Sequence, residues 1–250
     1  MTGNSVSGKR ISASGGEGAV IKIHGFNKLT LLDYPGRLAC TIFLGNCNFR
    51  CPFCHNAGLV LNPNQEPVVP QEEVFGVLKK RQGILDGVCI TGGEPTLHPQ
   101  LPEFIKKIRE YGYPVKLDTN GSNPEMLKSL VKEGLVDYVA MDIKNSPAKY
   151  AVTAGVSRMD LDVICESVDF LKTEAVDYEF RTTVTRELHK KEDFCDIGNW
   201  LDGSRRYFLQ TYKESGQVIR PVFSSYSREQ LENFRQMLAE HIGQVEIRGV

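Results

Sequence analysis

The sequence predicts an α/β fold in which a parallel sheet forms a partial, TIM-like (β/α)6 barrel. Three observations indicate this fold. Six short runs are almost continuously apolar or β-branched, which is typical of strands buried on both faces. Segments with helical periodicity lie between most of these runs. The unusual polar motifs follow the ends of the runs, where barrels of this type collect their functional residues.

The predicted elements alternate along most of the chain. The strands are 39–44, 87–91, 115–119, 138–143, 178–184 and 206–211. The helices, in which apolar residues recur every three or four positions, are 99–112, 123–134, 160–172, 190–201 and 227–243. Ser227 and Gln230 predict a capping box at the start of the last helix. The segment 19–35 is expected to add a hairpin, and the segment 244–250 a final strand.

Composition and charge exclude several classes of partner. The 250 residues are 41% hydrophobic and carry a formal net charge of −1, so no basic surplus indicates nucleic acid. No apolar run approaches the roughly 18 residues of a membrane span, and the N-terminus lacks the apolar core of a signal peptide. We therefore expect a cytoplasmic protein with no membrane contact. Residues 1–18, rich in Ser and Gly, are expected to be a disordered extension, and residues 19–250 a single domain.

Three of the seven cysteines lie in one loop after the first predicted strand, as Cys47, Cys51 and Cys54. Thiolates bind zinc, copper(I) or iron–sulfur clusters. A structural zinc site needs four protein ligands, and His55 is poorly placed because it adjoins Cys54. Covalent haem attachment matches "CPFCH" but leaves Cys47 unused. The spacing favours a [4Fe–4S] cluster whose fourth iron is open to a small molecule. The isolated cysteines are expected to be buried: Cys40, Cys89, Cys165 and Cys195.

Polar motifs also follow the next strands. They are "GGEP" (92–95), "DTNG" (118–121), "DIKN" (142–145) and Arg181. Gly92 and Gly93 are expected to let the backbone approach a ligand, and Glu94 offers a carboxylate to an ammonium group. Since parallel strands end at one edge of a barrel, the sequence predicts that these motifs share one site with the cysteines.

These motifs together resemble those of a known family. The Cys-x3-Cys-x2-Cys pattern and "TGGEP" resemble the signatures of the radical S-adenosylmethionine (SAM) enzymes. Within that superfamily the chain resembles the glycyl-radical-enzyme activating enzymes from about residue 20 to about residue 212, and most nearly the activating proteins of anaerobic ribonucleoside-triphosphate reductase. The resemblance is carried by 33–56, 91–99, 117–121, 141–144 and 180–185.

The resemblance implies two cofactors and their ligands. A [4Fe–4S] cluster would be held by Cys47, Cys51 and Cys54, and SAM would bind the open iron. The resemblance also implies protein contacts with SAM. Gly92, Gly93 and Glu94 would meet the methionyl ammonium, and Phe53 would lie beside the adenine. Asp118, Asp142 and Lys144 would line the site, with Lys144 and Arg181 as the two candidate partners of the SAM carboxylate.

The resemblance also implies a reaction. Reductive cleavage of SAM would give a 5′-deoxyadenosyl radical that takes a hydrogen atom from a glycine of the large subunit of anaerobic ribonucleotide reductase. A flavodoxin or ferredoxin would supply the electron. Three alternatives stay open: activation of another glycyl-radical enzyme such as pyruvate formate-lyase, a radical reaction on a small molecule, and a non-catalytic metal-binding protein. One departure is "FLQTYK" (208–213), where related pyruvate formate-lyase activators carry a histidine.

Overall fold

The computed structural model describes residues 20–249, which form one eight-stranded sheet with strands in sequence order. β1 runs antiparallel to β2, and β2 to β8 are parallel. β1 and β8 are the two edges of the sheet. The strands are β1 Ile23–Thr30, β2 Ala39–Leu44, β3 Gly87–Gly92, β4 Val115–Thr119, β5 Tyr138–Asp142, β6 Asp177–Val184, β7 Arg206–Thr211 and β8 Gln244–Arg248.

Helices connect the parallel strands. They are α1 Ala57–Leu61, α2 Gln71–Lys80, α3 Leu101–Glu110, α4 Pro124–Lys132, α5 Tyr150–Ala154, α6 Leu161–Lys172, α7 Lys191–Trp200 and α8 Arg228–Leu238. Within residues 20–249, no helix has the length and apolar character needed to cross a membrane.

The predicted partial barrel is confirmed. β2 to β7 are the six predicted strands, and β8 is the predicted last strand. The segment 19–35 contributes one strand that pairs with β2, so the expected hairpin includes the first barrel strand. Helices α1, α2 and α5 were not predicted from the sequence. Gly76 interrupts the apolar pattern of α2, and the other two helices are only five residues long. The extension predicted for residues 1–18 lies outside the described residues.

Burial on both faces explains the apolar strands. All five residues of β4 are buried, because the barrel interior covers one face and helices cover the other. Helix α3 packs Leu101, Phe104, Ile105 and Ile108 into the core, as its periodicity predicts. Each such side chain contributes roughly 1.5–3 kcal/mol to folding.

The isolated cysteines are not all buried. Cys40 and Cys89 are buried as predicted, whereas Cys165 is half-buried. The prediction for Cys195 was wrong, because this residue is exposed. It lies one position beyond Phe194, which is on the buried stripe of α7, so its side chain belongs to the solvent face of that helix.

Strand register brings the motifs to one level. Leu44 at the end of β2 pairs with Gly92 at the end of β3, and Asp142 on β5 pairs with Arg181 on β6. The loops after these strands therefore begin at the same edge of the barrel.

Candidate active site

One cavity of about 230 Å³ lies at the carboxyl ends of the barrel strands. All eleven residues that the sequence analysis placed in a cofactor site line it: Cys47, Cys51, Phe53, Cys54, Gly92, Gly93, Glu94, Asp118, Asp142, Lys144 and Arg181. The strand-end motifs therefore lie around one cavity, as the sequence predicted. The individual ligand contacts stay predictions.

The cysteine loop is held by its own hydrogen bonds. The backbone N–H of Cys54 donates to the carbonyl of Cys51 at 3.0 Å, and the N–H of Phe49 lies 3.3 Å from the Cys47 sulfur. The guanidinium of Arg50 donates to the carbonyls of Cys47 and Phe49, the second at 2.7 Å. These contacts hold the three thiols around one side of the cavity.

Burial raises the pKa of all three thiols. The pKa of Cys47 is raised to about 11 and that of Cys51 to about 12, while the positive charge of Lys144 opposes the shift at both, as it does at Cys54. Metal-free thiols here are therefore protonated at neutral pH, and binding of iron would release their protons.

The donor set fits a cluster better than a single ion. Among residues 20–249, no three His, Cys, Asp or Glu side chains converge on one ion position. In a cubane each thiolate binds a different iron, so thiols that are spread around a cavity suit it. Soft thiolates are also the usual ligands of iron–sulfur clusters.

The glycine motif packs directly against the cysteine loop. The N–H of Gly93 donates to the carbonyl of Leu44 at 2.8 Å, and that of Glu94 to the carbonyl of Asn46 at 2.7 Å. A Cβ on Gly93 would lie less than 3.0 Å from the Asn46 carbonyl oxygen. Gly92 has φ 119°, a conformation that favours glycine. The backbone of the cysteine loop therefore requires both glycines, whatever ligand they also approach.

Glu94 is buried and accepts four hydrogen bonds. Its donors are the N–H and hydroxyl of Thr96 at 3.1 and 2.6 Å, the hydroxyl of Thr119 at 2.7 Å and the N–H of Asn120 at 2.6 Å. Burial raises the pKa of Glu94, and the four donors oppose that rise. The carboxylate thus joins the ends of β3 and β4. Its contact with an ammonium group stays a prediction.

Five side chains of alternating charge form a connected series at the cavity, with Lys116 and Asp118 buried and the other three half-buried. Lys116 pairs with Asp118, and Arg181 bridges Asp118 at 3.0 Å and Asp142 at 2.5 Å. Lys144 completes the series at 2.8 Å from the second oxygen of Asp142.

These pairings keep the series ionised. Burial alone would raise the pKa of Asp118 and Asp142, but Arg181 and the lysines outweigh it and hold both below the ordinary range. The pKa of Lys144 is raised, since Asp142 outweighs the effect of burial. Three cations face two anions, so the series carries one net positive charge beside the thiols.

The cavity is also lined by residues that are not among the cofactor contacts implied by the sequence: Phe49, His55, Asn56, Val60, Thr91, Thr119, Asn120, Thr183 and Gln210. The Asn56 amide donates to the carbonyl of Gly92 at 2.8 Å, and that of Asn120 lies 3.8 Å from the Cys47 sulfur. Gln210, in the segment where related pyruvate formate-lyase activators carry a histidine, accepts from the Thr183 hydroxyl at 3.5 Å. The one feature of the sequence that could have identified them is their position, because most of them end a barrel strand or lie in the loop that follows one.

Comparison with known proteins identifies the family. The sequence model of the radical SAM superfamily matches residues 41–201. The chain belongs to the radical SAM superfamily. Its cofactors are therefore a [4Fe–4S] cluster and SAM, and the cavity described above contains the cysteine triplet that a radical SAM enzyme needs.

Relatives with assigned names include activating enzymes and a cyclase. A Methanocaldococcus jannaschii protein that carries the provisional name glycyl-radical enzyme activating enzyme is 33% identical over 76% of this chain and 80% of its own length. The pyruvate formate-lyase-activating enzyme of Clostridium pasteurianum is 29% identical over 60% of this chain and 62% of its own. A protein provisionally named GTP 3′,8-cyclase from Thermococcus kodakarensis is 35% identical over 50% of this chain and 41% of its own.

Solved structures share the fold. SuiB from Streptococcus suis superposes with a TM-score of 0.62 at 16% identity, covering 82% of this radical SAM chain and 47% of SuiB. The partial barrel is thus the fold of known members.

Proposed function

We propose that this radical SAM enzyme generates a glycyl radical on a partner enzyme, and that the partner is anaerobic ribonucleoside-triphosphate reductase. The similarity to the Methanocaldococcus jannaschii protein carries this proposal, since it spans four fifths of a relative named as an activating enzyme. The resemblance of 33–56 to the reductase activators supports the choice of partner. A flavodoxin or ferredoxin as reductant and a cytoplasmic location belong to the same proposal.

The residues of the cavity have distinct proposed tasks. Cys47, Cys51 and Cys54 hold the cluster, which with bound SAM supplies a 5′-deoxyadenosyl radical. Lys144 and Arg181 attract the SAM carboxylate, with both cations kept in place by Asp142.

The other cavity residues orient the nucleoside and shape the site. Phe53, only 5% exposed, offers an apolar ring beside the adenine. Asn56 fixes the Gly92 carbonyl at 2.8 Å, so that this oxygen and the backbone of Gly93 are positioned to accept from the SAM ammonium. Glu94 supports this geometry by joining the ends of β3 and β4. Asp118 is the proposed contact of the ribose.

An opening beside the cavity supports a polypeptide substrate. A second cavity of about 400 Å³ shares Asp118, Arg181 and Gln210 with the first. Its outer wall includes Leu32 and Arg248, which belong to the two sides of the open sheet. A glycine on a protruding loop would reach the site through this gap.

The test is an anaerobic activation assay. The chain is reconstituted with iron and sulfide and mixed with SAM, a reductant and purified reductase large subunit. We expect a glycyl radical signal by electron paramagnetic resonance, with methionine and 5′-deoxyadenosine in equal amounts. SAM cleavage without a glycyl radical would contradict the proposed partner. Pyruvate formate-lyase in place of the reductase tests the alternative activase.

The similarity to the cyclase favours a second candidate, a radical reaction on a small molecule, but it covers only half of this chain. Adding GTP to the same reconstituted preparation distinguishes the activase from an enzyme that acts on a small molecule. Consumption of GTP coupled to SAM cleavage, with no glycyl radical on either partner, would favour the second candidate.

A further inference from the structure

A segment after β7 covers the outside of the cysteine loop. We call residues 213–226, between β7 and α8, the cover segment. The N–H of Arg220 donates to the carbonyl of Pro52 at 2.8 Å, and that of Ile219 to the carbonyl of Cys54 at 3.3 Å. The N–H of Ala57 donates to the carbonyl of Gln217 at 3.4 Å. The backbone of the cover segment is therefore hydrogen-bonded to Cys54 and to Pro52, the residue that follows Cys51.

Aromatic packing and hydrogen bonds fix the cover segment in place. Phe223 packs edge-on against Phe53, with ring centroids 6.2 Å apart. At the far end, the N–H of Arg186 donates to the carbonyl of Ser224 at 3.0 Å, and the Ser224 hydroxyl donates to Glu187 at 2.6 Å. The cover segment is thus a fixed part of the surface.

The outer surface of this region is basic. Arg50, Lys213 and Arg220 are exposed, and within residues 20–249 none of them forms an ion pair with a carboxylate. Glu214 is the acidic residue of the cover segment, and the cysteine loop 45–56 has none. Three cations and one anion give this surface a net charge of +2, in a chain whose formal net charge is −1. Beside them Val222 is 67% exposed.

We propose that Arg50, Lys213, Arg220 and Val222 form a docking surface for an acidic one-electron carrier protein. The inference rests on the cofactors of the proposed function, since SAM cleavage needs one electron delivered to the cluster. The inner side of the cysteine loop faces the SAM cavity, so the electron enters from the outer side. The docked carrier loses one electron and the cluster gains it. Positive charge at that surface attracts acidic carriers and speeds their encounter.

Stopped-flow reduction of the reconstituted chain tests the proposal. The probe is a reduced, acidic plant-type [2Fe–2S] ferredoxin, and the readout is bleaching of the cluster absorbance without SAM or reductase. The variant K213E/R220E is expected to lower the second-order rate at least about tenfold at low ionic strength and to flatten its salt dependence. Titration calorimetry with oxidised ferredoxin is expected to show weaker binding to the same variant.

Two controls separate docking from damage to the cluster. K79E/K80E reverses two exposed charges at the end of α2, away from the cysteine loop, and is expected to leave the ferredoxin rate within twofold of the parent. Reduced methyl viologen, a small one-electron donor, is expected to reduce K213E/R220E at least as fast as the parent. An unchanged ferredoxin rate in K213E/R220E, or an equal loss with methyl viologen, would overturn the proposal. Because no reductase is present, failure of the glycyl radical assay leaves this result intact.

Discussion

Gly93 lies where the glycine motif meets the cysteine loop, so a single methyl group there should displace the thiols. In Gly93→Ala the new Cβ would collide with the Asn46 carbonyl, which belongs to backbone and has little freedom to move. We expect this variant to incorporate less than about half the iron and sulfide of the parent on reconstitution and to lose about 1–3 kcal/mol of stability.

Gly76→Ala is the matched control. A Cβ at Gly76, inside α2, meets no atom within 4 Å, so this variant should gain up to about 1 kcal/mol and bind iron normally. Full iron loading of Gly93→Ala would show that the loop tolerates the methyl group.

His189 gives the fold a defined response to acid. The ring is fully buried, its Nε2 lies 2.9 Å from the Lys144 carbonyl, and burial lowers its pKa. Below the ordinary histidine pKa of about 6.5, the unfolded chain takes up a proton that the folded chain does not. This one group should therefore reduce stability as pH falls, by up to about 1.4 kcal/mol per pH unit.

Urea unfolding of the parent and of His189→Gln between pH 7.5 and pH 5.5 measures this effect. The glutamine variant should lose less stability over that interval than the parent. An identical decrease in both proteins would assign the acid sensitivity to other groups.

At the scale of elements, the cover segment should protect the cluster. Phe223 packs on Phe53 and on Tyr212, and truncation to alanine removes both contacts. Losing about 1.4 kcal/mol of aromatic packing would raise local opening about tenfold. We expect iron release from Phe223→Ala to a chelator to accelerate by a similar factor, measured anaerobically by absorbance. The exposed neighbour Val222 gives the control, since Val222→Ala should release iron at the parent rate.

The elements and the site differ in how far the sequence could predict them. Strands β2 to β7 read as buried runs, and parallel strands bring their carboxyl ends together, so the convergence of Cys47, Gly92 and Arg181 on one cavity was predictable. The pairing of Arg220 with Pro52 was not. It joins segments far apart in the chain and depends on packing, which no local pattern records. The same holds for Glu94, whose four donors come partly from the next strand-end loop.

At the scale of the whole molecule, an ion pair between a buried carboxylate and a half-buried guanidinium connects the edge strand β8 to the barrel. Glu179 on β6 is fully buried, and Arg248 on β8 donates to both of its oxygens at 2.6 and 2.9 Å. Removing the cation alone leaves a buried charge, so Arg248→Met should cost about 3–5 kcal/mol in urea unfolding.

The double variant Glu179→Gln/Arg248→Met should recover part of that loss, because the buried charge is then gone as well. Equal stability of Arg248→Met and the parent would mean that β8 is held by backbone pairing and α8 alone.

The register of Leu44 with Gly92 also bears on how such chains can diverge. One residue inserted into β2 or β3 would slide one motif past the other by about 3.3 Å and turn its side chains to the opposite face. Insertions and deletions are therefore tolerable in the connection between α1 and α2, which lies outside these strands. An insertion in β2 or β3 would have to be matched by one in the other strand to keep the two motifs in register.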